Sequence, residues 1–139
     1  MALQTTVEHV EGPVPVTIAA LDGELDAASF EQVIDTIRGE SDAGARRLVL
    51  DLTDLTFISS SGLVAIHSAM RLMRGEAPPD PEQGWEALRA IRDEVEAGAV
   101  MSNLRLCGTQ DAVQKVLDRT GLGGLVPSHP DRASALAAF

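Results

Sequence analysis

The sequence predicts an α/β fold: a single domain with a central mixed β-sheet of four to five strands and helices packed mainly on one face. Three observations carry that expectation. Leu48-Val-Leu-Asp-Leu52 is a short apolar run with one charge, the pattern of a strand buried on both faces. After it, Leu63, Ile66, Met70 and Met73 recur at helical spacing, so a helix begins at Ser59-Ser60-Ser61. Upstream, Phe30, Val33, Ile34 and Ile37 mark another helix, and strand–helix–strand order places parallel strands side by side through a right-handed crossover.

The chain opens with two strands, Thr5 to Val10 and Val14 to Ala20, joined tightly at Glu11-Gly-Pro-Val. They form an antiparallel pair, and Pro15, with no N–H to donate, sits at an edge or entry position. Leu21-Asp-Gly-Glu-Leu-Asp26 leaves the second strand through Gly23, where the chain turns sharply. Asp26 is placed to cap a helix from about 27 to 38. Gly39 and Gly44 bracket its exit, and Arg46-Arg47 lead into the central strand at 47–51. Thr53 and Asp54 break that strand, and Leu55, Phe57 and Ile58 return the chain to the core.

The second helix covers about 60–73 and is followed by an insertion at about 75–102. Pro78-Pro79-Asp80-Pro81 is a rigid, extended breaker. Gly84 to Ala97 then reads as an amphipathic helix with Trp85, Leu88, Ile91 and Val95 on one side. Residues 76–97 hold seven acids and two arginines, a net of -5 and half the charge of the whole chain. Two readings stay open. The helix docks its apolar stripe on its own domain, or it is an interaction element anchored by Trp85. Either way an extra acidic helix lies between the second helix and the fourth strand, Leu104 to Cys107. Thr109 to Thr120 is a helix with Val113, Val116, Leu117 and Thr120 inward, stopped by Gly121 and Gly123-Gly124. Leu125-Val126 is a short edge strand closed by Pro127, and a last helix within 128–139 turns Leu136 and Phe139 inward.

A net charge of -10 repels nucleic acid and anionic membranes and suits a partner with a basic docking face. With three Phe, one Trp and no Tyr, the core is aliphatic and base-stacking platforms are missing. Cys107 stands alone, which excludes a disulfide within the chain, fits a reducing compartment, and suits a small core residue. No signal peptide is visible and no apolar run approaches the roughly 18 residues of a membrane span, so a cytoplasmic location is expected.

His9, His67 and His129 lie in three separate elements without zinc-ligand spacing, so neither a metal nor another cofactor is expected. His67 falls two turns beyond Ser60, too far to activate its hydroxyl, and is expected at the surface or boundary. Gly-x-Ser-x-Gly is absent, and no triad can be assembled, so an enzyme is not expected. Serine is a favoured helix cap, and a helix start carries unpaired N–H groups and a positive dipole end that favour an anion.

Asp51-Leu-Thr-Asp-Leu-Thr-Phe-Ile-Ser-Ser-Ser-Gly-Leu63 closely resembles the signature of STAS domains, the family of bacterial anti-sigma factor antagonists. Leu21-Asp-Gly-Glu-Leu-Asp26 resembles its second motif. Leu104-Arg-Leu-Cys-Gly, the helix around Val113 to Leu122 and the Ala-rich final helix follow in the family's order. The resemblance spans residues 1–139 outside the insertion. It implies a binding module whose partner is an anti-sigma factor with serine kinase activity. Alignment on Gly62 puts Ser60 on the phosphoacceptor, and Ser59 where the family commonly carries an aspartate. The matching aspartate of the second motif is Asp26, so the implied partner surface is Asp26, Ser59, Ser60, Ser61 and Gly62. Alternative readings are a non-phosphorylated accessory subunit of a lipid or anion transport complex, or a stressosome-like scaffold component. Oligomeric state is open.

Overall fold

The computed structural model describes residues 3–12, 14–78, 84–100 and 103–139. Pro13 of the first connection and Pro79 to Pro81 of the proline segment lie outside these described residues.

Among the described residues six strands form the sheet, where four to five were expected. β1 (Gln4–Val10) pairs antiparallel with β2 (Val16–Leu25). β2 pairs parallel with β3 (Leu48–Asp51), and then, at its far end, with β4 (Leu55–Ile58). β3 continues the sheet to β5 (Leu104–Cys107) and β6 (Ser128–His129), all parallel. The extra strand is the segment after Thr53-Asp54, which the sequence showed only as a return to the core.

Period-two alternation divides the side chains between the two faces of the sheet. Ala19, Leu21, Leu48, Leu50, Leu104 and Leu106 build the main core with the apolar sides of α1 (Phe30–Asp42), α2 (Ser60–Met73), α3 (Gly84–Ala97) and α4 (Asp111–Thr120). Val16, Ile18, Val49 and Cys107 point the other way, into a small cluster closed by Ala135 of α5 (Arg132–Ala137), with Leu136 and Phe139 packed against it. Leu48, Val49 and Leu50 are all buried, as a strand covered on both faces requires. Among the described residues, helices thus crowd one face, with α5 alone on the other.

Asp51 fixes α5. Its carboxylate accepts from Arg132 Nε at 2.6 Å and from the Thr53 amide and hydroxyl, while Arg132 also reaches Glu8 at 2.9 Å. Burial opposes ionisation of Asp51, but those hydrogen bonds and the Arg132 charge outweigh it and hold the carboxyl below its ordinary range. Beside it, burial first and the Asp51 carboxylate second push the Cys107 thiol up to about 12. That thiol is a core residue, as expected.

Several boundaries differ from expectation, each for a local reason. β2 does not end before Gly23. Gly23 instead adopts φ +121° at a break in register, as the strand changes partner from β3 to β4. α1 starts at Phe30 because Asp26 to Ser29 form a turn, with the Asp26 carbonyl accepting from the Ser29 and Phe30 amides. Gly39 lies inside that helix, and the exit is at Ala43-Gly44. Leu125 and Val126 are not a strand, since both amides return to the Leu122 carbonyl. The two side chains are buried as core plugs, and the edge strand follows Pro127. α4 begins two residues late, at Asp111, and ends as expected at Gly121, φ +88°.

The inserted helix has the expected span but presents a different stripe. Ala87 and Ile91 are buried with Val95 against them, whereas Trp85 and Leu88 face outward. His67 is also not at the boundary: it is 1% exposed, and α3 covers it. Glu94 is the reason. It accepts from Arg74 Nη2 and Nη1, at 2.6 and 3.1 Å, and lies 3.2 Å from His67 Nε2. This clamp rotates α3 so that small Ala87, rather than Trp85, meets the domain.

Candidate functional site

The serine triplet sits where β4 ends and α2 begins, and backbone pairing with β2 fixes that place. Leu25 is in register with Ile58, and one residue further the Ser59 amide donates to the Leu25 carbonyl at 2.9 Å. Asp26 follows Leu25 directly. Residues 33 positions apart in the sequence are therefore brought side by side by one parallel pairing.

Ser59 is the N-cap of α2, in extended geometry, with its hydroxyl accepting from the Gly62 amide at 3.4 Å. Its carbonyl accepts from the Leu63 amide. The amides of Ser60 and Ser61 have no preceding helical turn to donate to, so they lie open at the positive end of a 14-residue helix. Ser60 itself is exposed, and Ser61 is partly buried. From Gly62 to Met70 every residue of α2 is buried, so the helix is sunk in the core and surfaces at its two ends, Ser60 at one and Arg71 at the other. Capping and exposure are divided between adjacent serines: Ser59 is engaged, and Ser60 is left to solvent.

Gly62 makes the arrangement possible. A Cβ there would lie 2.6 Å from Ile58 Cγ1 and 2.8 Å from the Leu25 carbonyl oxygen. No larger residue lets α2 start this close to the ends of β2 and β4.

Asp26 is held by its own turn. Its Oδ1 accepts from the Ala28 amide at 3.0 Å and lies 3.2 Å from the Ser29 hydroxyl, which donates to the Glu24 carbonyl at 2.9 Å. The expected role as cap of α1 passes to a turn built by Asp26 and Ser29 together. The second carboxylate oxygen has no partner among the described residues and stays available at the surface beside the serines.

Sequence reasoning missed one member of this surface. Phe57, expected in the core, is 48% exposed on β4 opposite Glu24. The register irregularity at Gly23/Glu24 skips Thr56 and turns Phe57 out, while Leu55 and Ile58 stay in. Only knowledge of the bulge reveals this, although Gly23 was its one visible signal. The face thus combines an aromatic ring, the Ser60 hydroxyl, open helix amides and the Asp26 carboxylate.

His67 lies two turns into α2 and is committed to Glu94. Burial lowers its pKa despite the carboxylate, so the ring is neutral near pH 7. Among the described residues, no group of three or more His, Cys, Asp or Glu is placed to hold a metal ion. No helix among them is long and apolar enough to cross a membrane.

Comparisons with known proteins agree with this geometry. The STAS domain profile matches residues 5–76, from β1 to just beyond α2. BtrV of Bordetella bronchiseptica, an anti-sigma factor antagonist by name, is 27% identical over 137 residues, covering 99% of this chain and 95% of that protein. The anti-sigma F factor antagonist of Paenibacillus polymyxa is 28% identical over 141 residues, covering 98% and 94%. In fold, the chain superposes on the crystal structure of an anti-sigma factor antagonist from Mycobacterium paratuberculosis with a TM-score of 0.69. The sequence identity is 19%, and the match covers 99% of this chain and 93% of that one. With the profile spanning more than half of its residues, this chain belongs to the STAS domain family.

Proposed function

We propose that this protein is a cytoplasmic binding module of the anti-sigma factor antagonist type and not a catalyst. Its partner is an anti-sigma factor with serine kinase activity, and phosphorylation of Ser60 controls the complex. The names of the full-length relatives support the class. The observation that carries the site is the division of labour at the start of α2. Ser59 does the capping, and Ser60, at the first helical position, presents an uncommitted hydroxyl beside open amides.

The switch is electrostatic. In the unmodified protein the partner meets Ser60 and Ser61 as neutral hydroxyls, with Asp26 and Phe57 alongside. Phosphorylation adds about -1.5 to -2 charges and three acceptor oxygens. The helix dipole and the open amides accommodate that anion within the chain. The partner's surface, fitted to a neutral group, must then desolvate a dianion next to Asp26. Affinity falls, and the anti-sigma factor is released to its sigma factor. Ser59 replaces the family's usual aspartate, so the unmodified site starts one charge less negative, and phosphate produces a larger relative change.

The test pairs intact-mass and fragment mass spectrometry of protein from its own host with binding measurements on Ser60→Asp. A single phosphate on Ser60 is expected, and Ser60→Asp should bind the cognate anti-sigma factor at least about tenfold more weakly, with an unchanged melting temperature. Equal affinity of the two forms would sink the switch.

A further inference from the structure

The sheet face that carries α5 is only partly covered. Leu21 and Leu25 of β2 point into the main core, so period-two alternation turns Ala20, Asp22 and Glu24 to the α5 side. Register brings Thr6 and Gln4 of β1 to the same side, opposite Ala20 and Asp22, and Phe57 of β4, opposite Glu24. α5 packs over β3, β5 and β6, which leaves open the part built by β1, the second half of β2 and β4. Gln4, Thr6 and Asp22 are exposed there, and the Phe57 ring stands 48% exposed. The open part carries one sign of charge. Asp22 and Glu24 lie on it and Asp26 follows the end of β2, so carboxylates recur at every second residue, roughly 7 Å apart. The arginines on this side are occupied or distant. Arg132 is spent on Asp51 and Glu8, at 2.6 and 2.9 Å. Arg105 of β5 lies 3.1 Å from His129 Nε2 and 5.2 Å from the centroid of the Phe139 ring. Arg47 enters β3 beside Thr17, roughly 17 Å along β2 from Asp22.

We propose that this open sheet face is a docking site for a basic segment of a partner protein. An apolar side chain of that segment covers the Phe57 ring, and Lys or Arg on either side of it meet Asp22, Glu24 and Asp26. Charge selects this occupant, both locally and over the whole molecule. The open part holds no cation among the described residues, and the net charge of -10 attracts a basic partner at long range. A second copy would set the same carboxylates against one another, and an anionic membrane or an acidic segment meets the same repulsion. The face is also pre-organised, because pairing of β1 and β4 with β2 fixes these side chains before any partner arrives. Phe57 and Asp26 border the start of α2 as well, so the inference rests on the reading of the serine site as a protein-binding surface and extends that surface across the sheet.

The test is selection of a random peptide display library on the immobilised full chain, followed by fluorescence polarisation with the enriched peptides. Enriched sequences should place Lys or Arg on both sides of a Leu, Met or Phe. Their affinity should weaken with salt and fall at least about tenfold in Phe57→Ala and in Asp22→Lys. Asp42→Lys makes the same change of charge at the end of α1 and should leave peptide binding unchanged. All three altered side chains are exposed, and circular dichroism confirms that each variant is folded. The proposal is overturned by no basic enrichment, by full peptide binding in Phe57→Ala or Asp22→Lys, or by an equal loss in Asp42→Lys. A Phe57-dependent dimer in sedimentation velocity or Phe57-dependent binding to phosphatidylglycerol vesicles overturns it as well. Peptide binding is measured without phosphate and the Ser60 phosphate is read by mass, so failure of this face and failure of the serine switch are told apart.

Discussion

Gly62 shows how one residue type can be demanded by its neighbours and not by its own backbone. Its φ is ordinary for a helix, yet a methyl group would press into Ile58 and the Leu25 carbonyl. Alanine is favoured over glycine within helices by roughly 1 kcal/mol, but overpacking a tight contact costs about 1–3 kcal/mol. Gly62→Ala should therefore destabilise the protein by up to about 2 kcal/mol in urea unfolding. A more stable variant would mean that α2 shifts freely. The same contact joins Leu25, Ile58 and the serines, so that shift would also displace Ser60. Ser59 and Ser60 make the complementary point. Neighbours of identical chemistry take different roles because only one of them reaches the Gly62 amide.

Among the helices, α3 depends most on a polar interaction. It buries only a narrow stripe, and Glu94 adds a carboxylate shared between an arginine and a buried histidine. The Arg74 hydrogen bonds lower the Glu94 carboxyl to about 2, against some burial and with help from His67. Glu94→Gln keeps the shape and removes the charge. Backbone amides of α3 should then exchange with deuterium about tenfold faster or more, while those of β3 stay unchanged. Equal exchange in both proteins would mean that Ala87, Ile91 and Val95 hold the helix alone. The sequence placed this helix correctly and chose the wrong face, since Trp85, Leu88, Ile91 and Val95 form the more hydrophobic stripe. The ionic clamp on α2 decided otherwise, and local periodicity contains no record of a contact 27 residues away.

Across the whole molecule, the titratable groups His67, Glu94 and Asp51, all with depressed pKa values, act in one direction on acidification. His67 is lowered from 6.5 by burial, and Glu94 from 4.5 to about 2 by Arg74. Asp51 is lowered as well, by Thr53 and Arg132 acting against its burial. In each case the unfolded chain binds the proton more readily, so stability is present above the unfolded pKa and is lost as pH falls toward the folded one. The melting temperature should begin to drop below about pH 6.5 and fall further below about 4.5, with His67→Gln removing the first part of the decline. A flat profile between pH 7 and 4 would refute the assignment of these groups. The two faces of the sheet are exposed to the same acid titration, because Asp51 ties down α5 on one side and Glu94 ties down α3 on the other.

Local sequence was enough for the order of the helices, the doubly buried central strand, the helix starting at the serines and the identity of Gly121 as a stop, but not for β4 or the position of β6. Each of these rests on local pattern: periodicity, capping preference and backbone freedom, which neighbouring residues specify among themselves. Resemblance to a family also implied a shared surface of Asp26 and Ser59 to Gly62, and the parallel pairing of β2 with β4 sets Asp26 beside Ser59. Tertiary structure alone decided the rest. The bulge at Gly23 turned Phe57 outward, the Glu94 clamp buried His67 and exposed Trp85, and the Leu25 carbonyl took the Ser59 amide. These outcomes depend on which of two faces an element buries, and that choice follows from long-range contacts whose energies no short stretch of sequence contains.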